Sequence, residues 1–232
     1  VHRVPTGPKS KAAVIGVTVH RAQELVLSGV HVDDAISQAL SENENDLTHS
    51  DKEQVKTFAK ALVDFDIRIK KFKTNFKVRE ILLERKWAIT PSFTPTEFSD
   101  ENSMIRGVLD LGLILDSGHV IIVDHKTGRV RPTNYYQPQL DIYTVMALAH
   151  YPDLKGTQCA LHYVAHSKLE WSNPVKPARI REVLQPWLVN YLNARAERVR
   201  QPDANPGWHC NWCDFRKICT VRGNNVEAGE DS

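Results

Sequence analysis

The clearest pattern of apolar and polar positions lies between Arg106 and Tyr143. RGVLDLGLIL and HVIIVDHKTG are two apolar runs of strand length joined by Asp116, Ser117 and Gly118, and NYYQPQLDIY follows them. Runs this short and this apolar, separated by a turn, predict two buried strands. VREILLERKWAI ahead of them and GTQCALHYVAH behind them read as two more. Helical spacing occupies most of the remainder. Gly16, His20 and Glu24 recur every four residues and share one stripe of a first helix, which follows a loop-like opening with two prolines and two glycines. Residues 29–45 predict a short helix and an acidic loop. Ser50-Asp-Lys-Glu53 has the form of a capping box opening an amphipathic helix to about Lys73, with Val55, Phe58, Leu62, Phe65 and Ile69 toward the core. A polar loop is expected over 91–102, and a helix carrying Tyr135, Tyr136, Gln139 and Tyr143 to about His150. A long helix over 176–200 turns Ile180, Val183, Leu184, Leu188, Tyr191 and Leu192 inward. Strands and helices alternate, and the strands are apolar on both faces. The fold class is therefore α/β, a small mixed central β-sheet flanked by helices.

At 232 residues and 26.3 kDa the chain can bury a substantial core. One domain over residues 1–221, with its core at about 77–170 and a loose polar tail over 222–232, is the expectation. Hydrophobic content of 41% and charged content of 25% are those of an ordinary globular protein. A net charge of +2 neither announces nor excludes a nucleic-acid partner, which needs only a local basic lining. No apolar run is long enough to span a bilayer and no signal-peptide pattern opens the sequence, so an intracellular, cytoplasmic setting is expected.

Chemistry concentrates in the two central strands. Asp110 and Asp124 are carboxylates in oily surroundings, and Lys126, two positions beyond Asp124, points to the same face. A charge on a core strand costs several kcal/mol unless it is paired or holds a metal. Two carboxylates on neighbouring strands are a sufficient protein shell for Mg²⁺, which polarises a phosphoryl oxygen and acidifies a bound water, and a lysine beside it can stabilise developing charge. A buried Lys126–aspartate ion pair accounts for these three residues about equally well.

The wider pattern resembles the PD-(D/E)XK nuclease superfamily, in particular its RecB-like exonuclease branch. The matching motifs are Gly107-x-x-Asp110, Asp124-His125-Lys126 and Gln139-x-x-x-Tyr143 in linked order, together with Gly16-x-x-x-His20 ahead of them. Gln139 and Tyr143 are one helical turn apart and reach the same site. The resemblance implies a restriction-endonuclease-like core with a helical N-terminal part, and a Mg²⁺- or Mn²⁺-dependent deoxyribonuclease, exonuclease favoured over endonuclease. It implies Asp110 and Asp124 as metal ligands, His20 as a further ligand in place of a packing role, and Lys126 as the residue that positions the water. Gln139 and Tyr143 would hold the site or the DNA. Glu84 is either support for the metal or a partner for Arg85, Lys86 or Lys126. Glu24 either orients His20 or is solvated. The His125 side chain is expected to be structural, its carbonyl a potential metal contact. Arg129 and Arg131 suit a phosphate, with plain solvation as the alternative. The partner is DNA, ends favoured, with a helicase or recombination partner and a phage or bacterial source in keeping with such relatives. A non-cutting DNA-binding subunit and an RNA-directed nuclease on the same core are the competing readings.

His209-Cys210-Asn-Trp-Cys213-Asp-Phe-Arg-Lys-Ile-Cys219 forms a C-terminal Cys-rich segment over 209–219. Thiolates at this spacing bind zinc or an iron–sulfur cluster. RecB-like relatives complete a 4Fe–4S cluster with one cysteine upstream of the first helix, and none precedes Gly16 here. The fourth ligand is then His209, Cys159 (otherwise a small core residue) or, the favoured expectation, a cysteine preceding Val1.

Overall fold

The computed structural model describes residues 10–200 and residue 210. The expectations for residues 1–9, Cys213, Cys219 and the tail over 222–232 lie outside these. Ser10–Leu188 forms one compact unit, and the described residues of the second unit are the remainder of the last helix and Cys210.

Four helices precede the sheet: α1 Lys11–Leu27, α2 Val32–Glu42, α3 His49–Lys56 and α4 Ala59–Asn75. The first helix starts at Lys11, a full turn ahead of Gly16. Ser10 caps it by accepting the Ala13 N–H at 3.2 Å, which draws the apolar stretch Ala12–Ile15 into the helix. The expected amphipathic helix from Ser50 is also redrawn. Two overlapping capping-box sequences compete, and the earlier one prevails. Thr48 accepts the Asp51 N–H at 3.3 Å while Asp51 accepts the Thr48 N–H at 2.9 Å. The helix then breaks at Thr57, whose hydroxyl donates back to the Gln54 carbonyl at 2.6 Å, and restarts at Ala59. Across the break Val55, Phe58, Leu62 and Phe65 all stay buried, as their spacing implies, and Ile69 is partly buried.

Six strands form one mixed sheet in the order β2-β1-β3-β4-β5-β6. They are β1 Val78–Ile89, β2 Pro95–Thr96, β3 Ile105–Leu115, β4 His119–Lys126, β5 Gly156–Tyr163 and β6 Lys168–Trp171. Only β4 and β5 run parallel, and the crossover between them carries α5, Gln137–His150. The short β2 lies within the segment expected as loop, with Pro95 tolerated at the sheet's edge.

Strand alternation divides the core. On one face Phe65 of α4 packs with Leu111, Leu113, Leu115, Ile121, Val123 and Ala160. Cys159 belongs to the opposite face, buried against Leu140 and Thr144 of α5. It is thus the small core residue its strand implies, and burial pushes its thiol up to about 12.

The last helical stretch runs through α6, Pro177–Arg179, a π-turn at Ile180–Leu184, and α7, Gln185–Arg200. Pro186 explains the interruption: it has no N–H for the Glu182 carbonyl, and its ring would collide with that carbonyl in a regular helix. The extra residue in the turn rotates the apolar stripe. Ile180, Leu184 and Leu188 are buried as expected, but Val183 and Tyr191 are exposed. Among the described residues no helix is long and apolar enough to cross a membrane.

Candidate active site

Three carboxylates stand in a row across three adjacent strands. Glu84 of β1 falls between the paired Leu83–Leu111 and Arg85–Leu109, which sets it opposite Asp110. Asp110 in turn lies one step beyond Leu111–Val123, the last pair of the β3–β4 ladder, opposite Asp124. The two strands part there. The His125 N–H, free of the ladder, donates instead to Asp110 Oδ2 at 2.6 Å. Glu84 has φ of +44°, a left-handed backbone that a non-glycine residue adopts at a cost and that clusters at functional sites.

His20 of α1 reaches into this row. Its Nδ1 lies 3.4 Å from Asp110 Oδ1, and one ligand atom each of His20, Glu84 and Asp110 lies within 4.8 Å of the others. Glu24, one turn on, does not orient the His20 ring. It binds Arg21 at 2.6 Å, and Arg21 also binds Glu42, tying α1 to α2. The glycines of the two motifs are close-approach positions. A Cβ on Gly16 would come 3.3 Å from Thr127 Oγ1, and one on Gly107 would come 3.3 Å from Met146 Sδ. The first keeps α1 against the loop after β4, and the second seats β3 on α5.

Gln139 organises the other side. Lys126 Nζ lies 2.6 Å from Asp124 Oδ2 and donates to Gln139 Oε1 at 3.0 Å. Gln139 Nε2 donates to Asp124 Oδ1 at 2.9 Å and to the Tyr143 hydroxyl at 3.1 Å, and Tyr143 donates to the Val108 carbonyl at 3.0 Å. This fixes the amide's orientation, since its oxygen must face the ammonium and its NH₂ the carboxylate. The Lys126 ammonium is thus the close ion-pair partner of buried Asp124 Oδ2.

The electrostatics are those of crowded acids. Burial, then the neighbouring Asp110 charge, push Asp124 up to about 6 and Glu84 up to about 7. Burial acts upward on Asp110 too, but its ion pair with His20 and the His125 N–H hold it below the usual carboxylate range. His20 is raised in return: burial opposes its charge, and the carboxylates of Asp110, Asp124 and Glu84 together outweigh it. A divalent cation suits this donor set. It is oxygen-rich with one imidazole, and with Asp124 beside it three carboxylates crowd around one lysine and one histidine.

Behind the row, the His125 side chain is buried on the opposite sheet face, as its strand parity implies. Its Nδ1 lies 3.0 Å from His162 Nδ1, and Phe65 stacks on His162 with centroids 4.0 Å apart. Burial drives His125 down to about 4; His162 falls to about 2 through burial and the adjacent His125. The sequence does not single out His162; strand parity in GTQCALHYVAH gives its face, but its place directly beside His125 follows only from the parallel register of β4 and β5. Arg129 and Arg131 are exposed in the loop after β4. Cys210 is half-buried; its partners Cys213 and Cys219 lie outside the described residues, so the trio is not brought together here.

No curated protein matches the sequence. Among solved structures, an exonuclease candidate from Eubacterium rectale superposes with a TM-score of 0.50 and 13% identity, over 95% of this chain and 79% of that one, a likeness of fold. A second, SSO0001, gives a TM-score of 0.39 and 17% identity over 90% of this chain and 97% of its own, too low to support an argument. The sequence itself matches the profile of one family over residues 1–220, a span that contains the whole carboxylate row, Lys126 and Gln139. On that match, with the row and its lysine in view, the chain belongs to the PD-(D/E)XK nuclease superfamily.

Proposed function

We propose that the protein is a metal-dependent deoxyribonuclease that works from DNA ends. The observation that carries this reading is the donor cluster of His20, Glu84 and Asp110 beside an ion-paired Asp124 and Lys126. In this reading His20, Glu84, Asp110 and Asp124 would hold Mg²⁺ or Mn²⁺, and the His125 carbonyl would offer a further oxygen. The cation, when bound, supplies charge neutralisation at the phosphoryl oxygen and acidifies water. Lys126 orients the attacking water and stabilises the charge that grows on the phosphate. Gln139 keeps the Lys126 ammonium and the Asp124 carboxylate in register, and Tyr143 anchors Gln139 to β3. Arg129 and Arg131 receive the flanking phosphates. Exonuclease action rests on the likeness to RecB-type sequences and on the fold shared with an exonuclease candidate.

A non-cutting DNA-binding subunit is disfavoured by the intact Asp110, Asp124 and Lys126 set; RNA as the substrate is a further outcome of the test. Incubation with end-labelled linear DNA, circular DNA and RNA, with Mg²⁺, Mn²⁺ or EDTA, decides among them. Release of mononucleotides from linear DNA only, abolished by EDTA, is expected. Cutting of circles makes the protein an endonuclease, and inertness toward all three overturns the enzyme reading. We further propose a single nuclease domain over 1–221, and a 4Fe–4S cluster or zinc on Cys210, Cys213 and Cys219. Anaerobically purified protein absorbing near ~400 nm favours the cluster, and colourless protein with one stoichiometric zinc favours the metal. A helicase or recombination partner belongs to the same reading.

A further inference from the structure

A second surface begins where Lys126 ends. Lys126 Nζ stands 4.5 Å from the centroid of the Tyr136 ring. Tyr136 meets Tyr135 at 77°, with centroids 4.9 Å apart, and the guanidinium carbon of Arg131 lies 4.6 Å from the Tyr135 centroid. An unbroken series of contacts therefore runs outward from Lys126 to Arg131. The segment is tied down from beneath. The phenol of the fully buried Tyr163 donates to the Arg131 carbonyl at 2.7 Å and accepts the Arg131 N–H at 3.1 Å, and the Tyr135 N–H donates to the Pro132 carbonyl at 2.9 Å. Yet the Tyr135 ring is 59% exposed. Core packing does not explain an aromatic residue on a backbone tied from beneath, mostly in water, with a cation against its ring and a second cation one ring away.

We infer that Tyr135, steadied by Arg131 and Tyr136, is a stacking platform for an unpaired base one nucleotide from the scissile phosphate. Every base offers a π-face, so such a platform is indifferent to sequence, and the Arg131 guanidinium is placed to contact the phosphate that accompanies the base. Inside a duplex each base is covered on both faces by its neighbours, so the platform selects single strands and frayed ends over intact duplex. The substrate class follows: unstacked, single-stranded nucleic acid, or a strand end that can open. This deepens the nuclease reading and rests on it only for the position relative to the cleaved bond.

The test measures binding without cleavage, by fluorescence anisotropy in EDTA. The probes are a labelled oligothymidylate, the same strand made abasic, a blunt hairpin duplex, and an RNA strand of uridylates. The wild-type protein should bind the thymidylate strand tighter than the hairpin and about tenfold tighter than its abasic counterpart. Tyr135→Ala should lose about tenfold on the thymidylate strand and nothing on the abasic one, while Tyr135→Trp keeps the wild-type preference. Binding of RNA and DNA strands alike also fits, and the tighter of the two names the source of the unpaired base. Equal binding of abasic and thymidylate strands, or wild-type affinity in Tyr135→Ala with its fold intact by circular dichroism, overturns the platform. Cleavage in Mn²⁺ is read separately. A strand bound through Tyr135 but never cut overturns the nuclease reading alone, and Lys126-dependent cutting with no role for Tyr135 overturns the platform alone.

Discussion

Gln139 accepts a hydrogen bond from Lys126 at 3.0 Å with one end of its amide and gives one to Asp124 at 2.9 Å with the other. A single side chain from α5 thus sets the spacing between the two groups proposed to face the phosphate together. Glutamate there would repel Asp124, and leucine would release both partners. Gln139→Leu is expected to lower kcat by about 10–100-fold at saturating metal, the usual cost of losing a group that orients a ligand. Initial rates on labelled DNA, with near-unchanged circular dichroism, check this.

Removing the groups proposed to act directly should cost more. Asp110→Asn, Asp124→Asn and Lys126→Ala are each expected to lower cleavage by at least ~10³-fold while the protein still folds. Lys126→Ala should still bind DNA, since other phosphate contacts hold the strand. Metal-dependent cleavage at near wild-type rates by Lys126→Ala would sink the assignment.

His20 and Glu84 are expected to act through metal affinity. His20→Ala and Glu84→Gln should each raise the Mn²⁺ concentration for half-maximal activity by about 10-fold or more, and excess Mn²⁺ should restore part of the rate. Isothermal titration of the metal into each variant reports the same shift without relying on turnover. A wild-type Mn²⁺ profile in His20→Ala returns that histidine to a packing role.

The sequence made one strand legible to the residue, since VREILLERKWAI is β1 from end to end, and the turn at Asp116–Gly118 separates β3 from β4. But GTQCALHYVAH runs three residues past the end of β5, and β2 and β6 are not among the expected strands. Parity alone put Asp124 and Lys126 on one face and His125 on the other. Other features depend on relations between segments that no local pattern carries. Glu84 could be read as a strand residue but not as one with positive φ, because the positions of neighbouring ladders decide that. The capping box at Thr48 and the one at Ser50 look alike in sequence, and only burial of Asp51 and Val55 chooses between them. The rotation of the last helix follows from Pro186 through a carbonyl four residues back, which a count of apolar spacing ignores.

The buried histidine pair should make a contribution to the stability of the metal-free protein that acid erodes. Burial holds His125 at about 4 and His162 at about 2, both below the ordinary value of 6.5. Above pH ~6.5 both are neutral in the folded and unfolded chain and stability is untouched. As pH falls below that, the unfolded chain takes up protons the folded one excludes, and stability drops by at most about 1.4 kcal/mol per pH unit for each excluded proton. Glu84 and Asp124, raised to about 7 and about 6, take up protons in the folded chain over the same range and oppose this fall, so the histidine share is read by difference. In urea unfolding in EDTA, His162→Phe should gain stability relative to wild type between about pH 7 and pH 5.

Phe65→Ala removes the ring stacked on His162 from a nearly solvent-free position. A loss of about 3–5 kcal/mol is expected from urea unfolding at neutral pH.

The row of Glu84, Asp110 and Asp124 makes the sheet itself a ruler. Glu84 and Asp110 sit within the β1–β3 ladder and Asp124 directly beyond the last β3–β4 pair, so the order of the carboxylates across the sheet follows from backbone pairing. The same dependence makes the site unforgiving of slippage. A shift of β3 by one residue would turn Asp110 to the face now filled by Phe65 and Leu111, and bring Leu111 to the side that carries Asp124 and Lys126. Misregistered protein would bury a carboxylate in that apolar layer, so pairing errors that spoil the chemistry also spoil the core, and folding discards them without a separate safeguard.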